Sequence, residues 1–391
     1  MKSPRLALIG AFLPPCLAWA VYAPIPEQEQ GKAFTVTITS GAMHDSNLFG
    51  AATGGISSMV YSVSPKLAFN ASVSKQTFLS ASYEVTADYF DNRPTDKALF
   101  SHGADLRLAH AFSRVTNIDL NDAFQIDKNP QSLLAGKPLN TDQSYSRNQF
   151  DGTLTTTLDA KTGMVLKYRN LYTHYDNVNL SRDLNHMEHL TGLQVENKVL
   201  PELSLGGEYR FQAIVYDHAG TSKDKTSHFF LGGADCALAK KFTLSARAGA
   251  EQRHRDGDRG TTAPFAEFVC QYTYGERSYV SGGYTYSLAE ADDPVNYTDS
   301  KQNQIFVNVQ HAVAARVVIS ASATAGPAAL QGRGTVANLN ETTLRLGGAI
   351  TYVARKNFSV SGTVDYDKVD SDLSYREQAR TRCGISGRLT F

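Results

Sequence analysis

Apolar and polar residues alternate with a period of two through almost the whole chain, and this limits the fold more than any other feature. In "FLSASYEVTADYF", Leu79, Ala81, Tyr83, Val85, Ala87 and Tyr89 alternate with Ser80, Ser82, Glu84, Thr86 and Asp88. Successive residues of a strand point to opposite faces, so the segment reads as a two-faced strand. "FSVSGTVDYDK" sets Phe358, Val360, Val364 and Tyr366 against Ser359, Ser361, Thr363 and Asp365. "GMVLKYRNLY" sets Met164, Leu166 and Tyr168 against Lys167 and Arg169. After the first twenty residues no apolar run reaches the roughly 18 residues of a spanning helix.

The strands are punctuated regularly. Tight turns fall at "SKQT" (from Ser74), "FSRV" (Phe112), "DAKT" (Asp159), "LPEL" (Leu200), "AKKF" (Ala239), "GERS" (Gly275), "AARV" (Ala314) and "ARKN" (Ala354). Successive starts lie ~40 residues apart, a spacing that calls for a repeat. Between them sit long segments rich in Asp, Asn and Gly, such as "FDNRPTDKAL", "YDNVNLSRDLN" and "AEADDPVNYTDS". Each repeat is one strand up, a long polar loop, one strand down and a tight turn.

A propeller needs four short strands per blade. The repeats here hold two long ones, with no Gly-His or Trp-Asp signature. The pattern fits an all-β fold: a single antiparallel transmembrane β-barrel with short periplasmic turns and long extracellular loops. Eight tight turns and nine long loops predict about 18 strands, with 16 as the alternative. In hydrocarbon every backbone polar group must be paired within the protein, so a spanning sheet closes on itself. A barrel this wide encloses water, and half of each strand then stays polar at little cost.

The termini agree with export to the bacterial outer membrane. Lys2 and Arg5, the apolar "LALIGAFLPPCLAWA" and the Ala18 and Ala20 of "AWA" read as a signal peptide over residues 1–20. A short periplasmic segment, 21–33, then precedes the barrel, 34–391. That segment is too short for a plug domain, so an energy-coupled receptor is not expected. Losing the leader removes two of 38 basic residues and none of 38 acidic ones, for a net charge of −2. Nothing here calls for nucleic acid. Cys236, Cys270 and Cys383 remain, an odd and widely spaced set that reads as isolated thiols. At the other end, "TRCGISGRLTF" alternates up to a terminal Phe391. This resembles the closing strand of bacterial outer-membrane proteins, whose last aromatic is the assembly signal read by the barrel-assembly machinery.

The first strand ends in "HDSNLF", and "VSPKLAF" follows. Asp45, Ser46, Asn47, Leu48 and Phe49, then Val63, Ser64, Pro65, Leu67 and Phe69, resemble a family of porin-like outer-membrane barrels. Members of that family are found near exopolysaccharide and capsule export systems. The resemblance implies a surface-polysaccharide link and names no catalytic or ligand residue.

Candidate chemistry is sparse. His44 and Ser46 would share a strand face, as a hydrolase pair requires, but no third residue orients the imidazole. His186 and His189 are three apart, which on a strand turns them to opposite faces. The acidic loops lack the fixed Gly and terminal Glu of an EF-hand; solvation, or bridging of divalent ions to lipopolysaccharide, accounts for them. No catalytic residue, cofactor or metal is expected.

The interior face is mixed. Pore-lining candidates are Glu84, Asp88, Lys167, Arg169, Glu208, Arg210, Arg247, Glu267, Arg345, Arg380, Arg382 and Arg388, with Asp105, Asp119, Glu251 and Asp365 on the same parity. Clustered cations would favour anions; internal salt bridges filling the barrel are the competing expectation. The longest connection, residues 127–145, carries Leu133, Leu134 and Leu139, apolar residues out of place at a wet loop tip. An inward fold that constricts the pore is expected. Tyr89, Phe90, Tyr175, Tyr216, Tyr286 and Tyr366, where strands meet loops, suit an aromatic girdle.

The function expected is a monomeric channel or porin-like barrel, with exopolysaccharide secretion as the implied setting. A structural or adhesive barrel with a filled lumen is the alternative, and an outer-membrane hydrolase stands third. Expected partners are outer-membrane lipid and lipopolysaccharide, the assembly machinery and polysaccharide.

Overall fold

A computed structural model describes residues 32–128, 144–217, 223–238, 241–255, 260–289, 291 and 296–391. The leader and Leu133, Leu134 and Leu139 lie outside the described residues. Eighteen strands form one antiparallel sheet. In chain order they are β1 (Phe34–Asp45), β2 (Ser58–Ser72), β3 (Thr77–Phe90), β4 (Ala98–Ala111), β5 (Thr116–Asp127) and β6 (Tyr145–Thr157). Next come β7 (Thr162–Tyr175), β8 (His186–Leu200), β9 (Leu203–Tyr216), β10 (Lys225–Leu238), β11 (Phe242–Arg255) and β12 (Thr261–Gly275). The last are β13 (Ser278–Ala289), β14 (Tyr297–Ala314), β15 (Val317–Gly332), β16 (Leu339–Arg355), β17 (Phe358–Ser371) and β18 (Gln378–Thr390).

Each strand pairs with its sequence neighbours, and β1 also pairs with β18, from Thr37↔Thr390 to Asp45↔Arg382. The sheet is therefore a closed barrel with no free edge. The eight connections after even-numbered strands up to β16 are tight, and the nine after odd-numbered strands are longer. This matches the turn pattern read from the sequence. One ladder has a local gap: β2–β3 passes from Val63↔Ala87 to Lys66↔Glu84. Pro65 lies in the gap, and proline has no N–H to give.

Alternation divides the barrel into two faces. Tyr61, Val63, Leu67 and Phe69 of β2 point outward and are exposed, as are Leu166 and Tyr168 of β7, Leu205 and Tyr209 of β9, and Val364 of β17. The interleaved positions carry the charges and point inward. Cys236, Cys270 and Cys383 are free thiols. Phe391 follows β18, is exposed, and donates its N–H to Val36 O at 2.8 Å.

The aromatic girdle needs correcting. Tyr89 is exposed on the outward face, and Tyr286 and Tyr366 share that parity. Phe90, Tyr175 and Tyr216 instead have inward parity and are buried. Phe90 packs with Leu48 and Val60 beneath the β1–β2 loop. Tyr175 packs with Tyr145 against Leu180 and Leu184 of a short helix, α1 (Val178–Leu184). That helix starts at Asn177, whose side chain accepts the N–H groups of Asn179 and Leu180, satisfying donors left open at a helix start. These rings are covered by loop residues at the long-loop ends of their strands.

Candidate functional site

The interior wall holds the chemistry, and register builds it. Lys167, Gly192 and Arg210 are level on β7, β8 and β9. Because Gly192 has no side chain, both cations reach the same carboxylate, Glu208. Lys167 Nζ is 3.3 Å from Glu208 Oε1 and 2.9 Å from Gln194 Oε1. Arg210 donates to both Glu208 oxygens, at 2.9 and 3.0 Å. Arg247 Nε, from β11, is 3.4 Å from Glu208 Oε2. Around this centre, Arg247 pairs with Asp235 at 2.5 Å, Arg210 with Glu267 at 3.6 Å and Arg169 with Asp151 at 2.7 Å. Four cations thus face three carboxylates besides Glu208. The Glu208 side chain keeps 1% of its accessible surface.

Beside this network lies an apolar patch. Phe229 and Phe265 meet edge to face at 5.6 Å, Leu231 joins them, and the Arg210 guanidinium lies 5.5 Å from the Phe265 ring. A cation over an aromatic face is attracted to its negative quadrupole.

A second cluster crosses the barrel seam. Arg380 binds Asp45, Arg382 Nη2 is 2.7 Å from Asp367, and Arg345 Nε is 3.7 Å from the same carboxylate. A third holds the long-loop rim. Glu251 accepts from Ser227 at 2.7 Å and from Arg253 at 2.9 Å, Arg253 and Arg255 share Asp299, and Arg376 is bidentate on Glu341.

One arc of the wall differs. Glu84 and Asp88 of β3 and Asp105 of β4 face inward without an ion pair among the described residues. Asp88 accepts a hydrogen bond from Ser62, and Ser82 Oγ is 3.4 Å from Asp105. Asp105 is exposed, whereas the inward side chains of Arg169, Glu208, Phe229, Glu251 and Phe265 across the interior are buried. The interior is therefore packed and charge-compensated on one side, open and acidic on the other.

All twelve pore-lining candidates have inward parity. The structure joins Lys167, Arg210, Arg247, Glu208 and Glu267 in one network and links Arg345 with Arg382 through Asp367, while Glu84 and Asp88 make no ion pair among the described residues. Sequence reasoning missed Asp151, Asp235 and Asp367, which strand parity marks as inward, and Arg253, Arg255 and Asp299, which sit where strands run into loops. Asp45, at the end of β1, is fully buried.

The "HDSNLF" segment is a clasp. Asn47 N donates to Asp45 Oδ1 at 3.0 Å, the local turn expected of Asp and Asn. The same residues also bind β18: Ser46 Oγ accepts from Thr381 N at 2.8 Å, and Asn47 Nδ2 donates to Ala379 O at 3.3 Å. Ser46 is thereby committed to the backbone, while His44 is exposed on the outward face. His189 contacts the Tyr168 hydroxyl at 2.9 Å and His186 the Leu184 carbonyl at 2.6 Å. No group of three or more metal-ligating side chains converges among the described residues.

Several solved barrels are similar in outline. OpdK of Pseudomonas aeruginosa, crystallised with vanillate, is 8% identical, with 92% of this chain and 99% of that one covered at a TM-score of 0.48. OccAB3 of Acinetobacter baumannii is 8% identical, with the same coverage, at 0.47. The siderophore receptor PirA of Pseudomonas aeruginosa is 9% identical, covering 92% and 80%, at 0.45. No curated protein matches in sequence. The family described as "Putative beta-barrel porin 2" matches residues 33–391, the whole barrel, and the chain belongs to that family.

Proposed function

We propose that the protein is a passive outer-membrane channel of weak cation preference, its aqueous path running along β3–β5. The observation that carries this is the asymmetry of the interior wall. On β7–β12 the cations are neutralised by carboxylates within reach, so they add little net field. Glu84, Asp88 and Asp105 make no ion pair among the described residues, and with only Lys66 set opposite Glu84 they outnumber the cations on β2–β4 that are not already paired; wall charge of one sign biases which ions enter. Membership of a porin family and the apolar outward face support the membrane placement.

The test is ion conductance in planar bilayers under a salt gradient. Discrete openings with a cation-directed reversal potential are expected. The combined Glu84→Gln, Asp88→Asn and Asp105→Asn variant moves that potential towards zero. A folded barrel without conductance overturns the channel reading in favour of a filled structural barrel. Fractionation of cell envelopes tests the outer-membrane location separately.

The finer assignments rest on the sequence. The loop bearing Leu133, Leu134 and Leu139 is proposed as a constriction, so deleting residues 131–140 raises single-channel conductance. Phe391 is proposed as the group the assembly machinery reads, with lipid and lipopolysaccharide against the outward face. The polysaccharide link rests on the Asp45–Phe49 and Val63–Phe69 resemblance. A deletion strain that exports normal amounts of polysaccharide removes it.

A further inference from the structure

The outward face carries polar groups at one recurring position. On β3, β7, β9 and β13 the seventh residue is a tyrosine: Tyr83, Tyr168, Tyr209 and Tyr284. Each hydroxyl reaches across to the next strand. Three meet the Nδ1 atoms of His102, His189 and His228 at 2.9, 2.9 and 2.8 Å, and the fourth meets Asn303 Oδ1 at 2.9 Å. Hydrocarbon offers no hydrogen bonds, so a phenol at that depth needs a protein partner. These four have one.

β5 departs from the pattern. Its seventh residue is Asp122, on the outward parity of Leu120 and Phe124. It lies directly opposite Leu106 on β4 and Phe150 on β6. The carboxylate is therefore ringed by apolar side chains along and across the sheet. Asn148 Nδ2 donates to Oδ1 at 3.1 Å, and Asp122 makes no ion pair among the described residues. An ionisable group facing lipid at this depth is costly, and such groups mark contacts or function.

We propose that the outward face of β5–β7 around Asp122 is a lateral interface with a second copy of this chain in the membrane plane. The proposal rests on the outer-membrane reading above and departs from the monomer expected from sequence. The occupant has to reach hydrocarbon depth, so it is itself membrane-embedded. This chain also carries the complement to its own carboxylate. When a phenol donates to imidazole Nδ1, the ring's hydrogen sits on Nε2 and remains a donor on the outward face. A two-fold axis along the barrel between β5 and β7 sets Asp122 of each copy opposite the Tyr168–His189 pair of the other, at matching height. Closed two-fold pairing through one self-complementary patch is the commonest oligomer geometry, and polar side chains join membrane segments in this way.

The test uses full-length protein extracted from membranes in mild detergent. Light scattering is expected to return twice the chain mass for the wild type and the single mass for Asp122→Leu combined with Asn148→Leu. Migration in unheated gels reports whether the variant barrel is folded. The isosteric Asp122→Asn, which keeps the fold, is expected to weaken the dimer at least tenfold. Phe150→Cys, near the proposed axis, is expected to form a disulfide-linked dimer in intact envelopes. A monomeric wild type, a variant that stays dimeric, or recovery as a complex with a different barrel overturns the proposal. Envelope fractionation of the same cells reports the outer-membrane reading independently, so the two failures are distinguishable.

Discussion

Arg380 on β18 donates through Nε to both carboxylate oxygens of Asp45 on β1, at 3.0 and 3.1 Å, joining the last strand to the first. The side chains keep 6% and 0% of their accessible surface. Breaking a buried pair by removing one member leaves an uncompensated charge and costs about 3–5 kcal/mol. Asp45→Ala and Arg380→Ala are each expected to lower the urea midpoint of the refolded barrel by that order. The reversed pair, Asp45→Arg with Arg380→Asp, is expected to recover part of it. Equal midpoints for the wild type and both single variants would show that the backbone ladder alone closes the seam.

The clasp next to that pair has its own test. Asn47 donates to Ala51 O at 2.8 Å and accepts from Ala51 N at 2.9 Å, besides its bond to β18. Gly50 sits at φ +61°, and a Cβ there would lie 2.2 Å from Gln378 Oε1. Asn47→Ala leaves part-buried backbone partners unpaired, at the low end of roughly 1–3 kcal/mol. Gly50→Ala adds the left-handed penalty of roughly 1–2 kcal/mol to a clash. Both variants are expected to open residues 46–57 to external protease in intact cells, with β1 and β2 unaffected. Protection equal to wild type would remove the clasp from the account.

Strand number, turn positions and facing were legible in the sequence because all three follow from local alternation. Tyr168 against Lys167 decides a face without any partner. Pairing was not legible in the same way. Asp45 and Arg380 are 335 residues apart, and only barrel closure brings them together. Glu208 attracts Lys167 because Gly192 lies between Lys167 and Arg210, a fact of register. The girdle reading failed at Phe90 for a physical reason: Tyr89 and Phe90 are adjacent on one strand, so only one of them can point outward. The inward ring found cover under a loop through Leu48, an apolar residue that follows Asp45, Ser46 and Asn47 in the chain.

The turn between β6 and β7 carries a pH dependence. Asp159 accepts the backbone N–H of Lys161 at 2.7 Å and of Thr162 at 2.8 Å. These bonds favour the charged form and hold its carboxyl below the usual carboxylate range. A group whose folded value is depressed contributes its stability above the unfolded value of about 3.9 and loses it as pH falls through the folded one. The turn is therefore expected to stay ordered at neutral pH and to loosen only in strong acid. The Asp159 carboxyl carbon is expected to titrate with a midpoint below about 3.9 by NMR. Asp159→Ala is expected to remove that titration and loosen the turn at neutral pH. An ordinary midpoint would sink the assignment.

Glu208 and Glu84 distinguish the two sides of the lumen. Glu208 is enclosed by Lys167, Arg210 and Arg247. Glu208→Gln leaves those three cations with only Asp235 and Glu267, so the wall gains net positive charge and the buried network loses its centre. The reversal potential is expected to move towards anions, and the urea midpoint to fall by an amount of order 3–5 kcal/mol. Glu84→Gln removes a carboxylate that holds no ion pair among the described residues. It is expected to move the reversal potential in the same direction while leaving the midpoint within about 0.5 kcal/mol of wild type. Measuring both quantities on both variants separates a charge that holds the wall together from one that faces the permeating ions. Equal stability losses would mean that Glu84 is bound into the wall and that the acidic arc does not line the path.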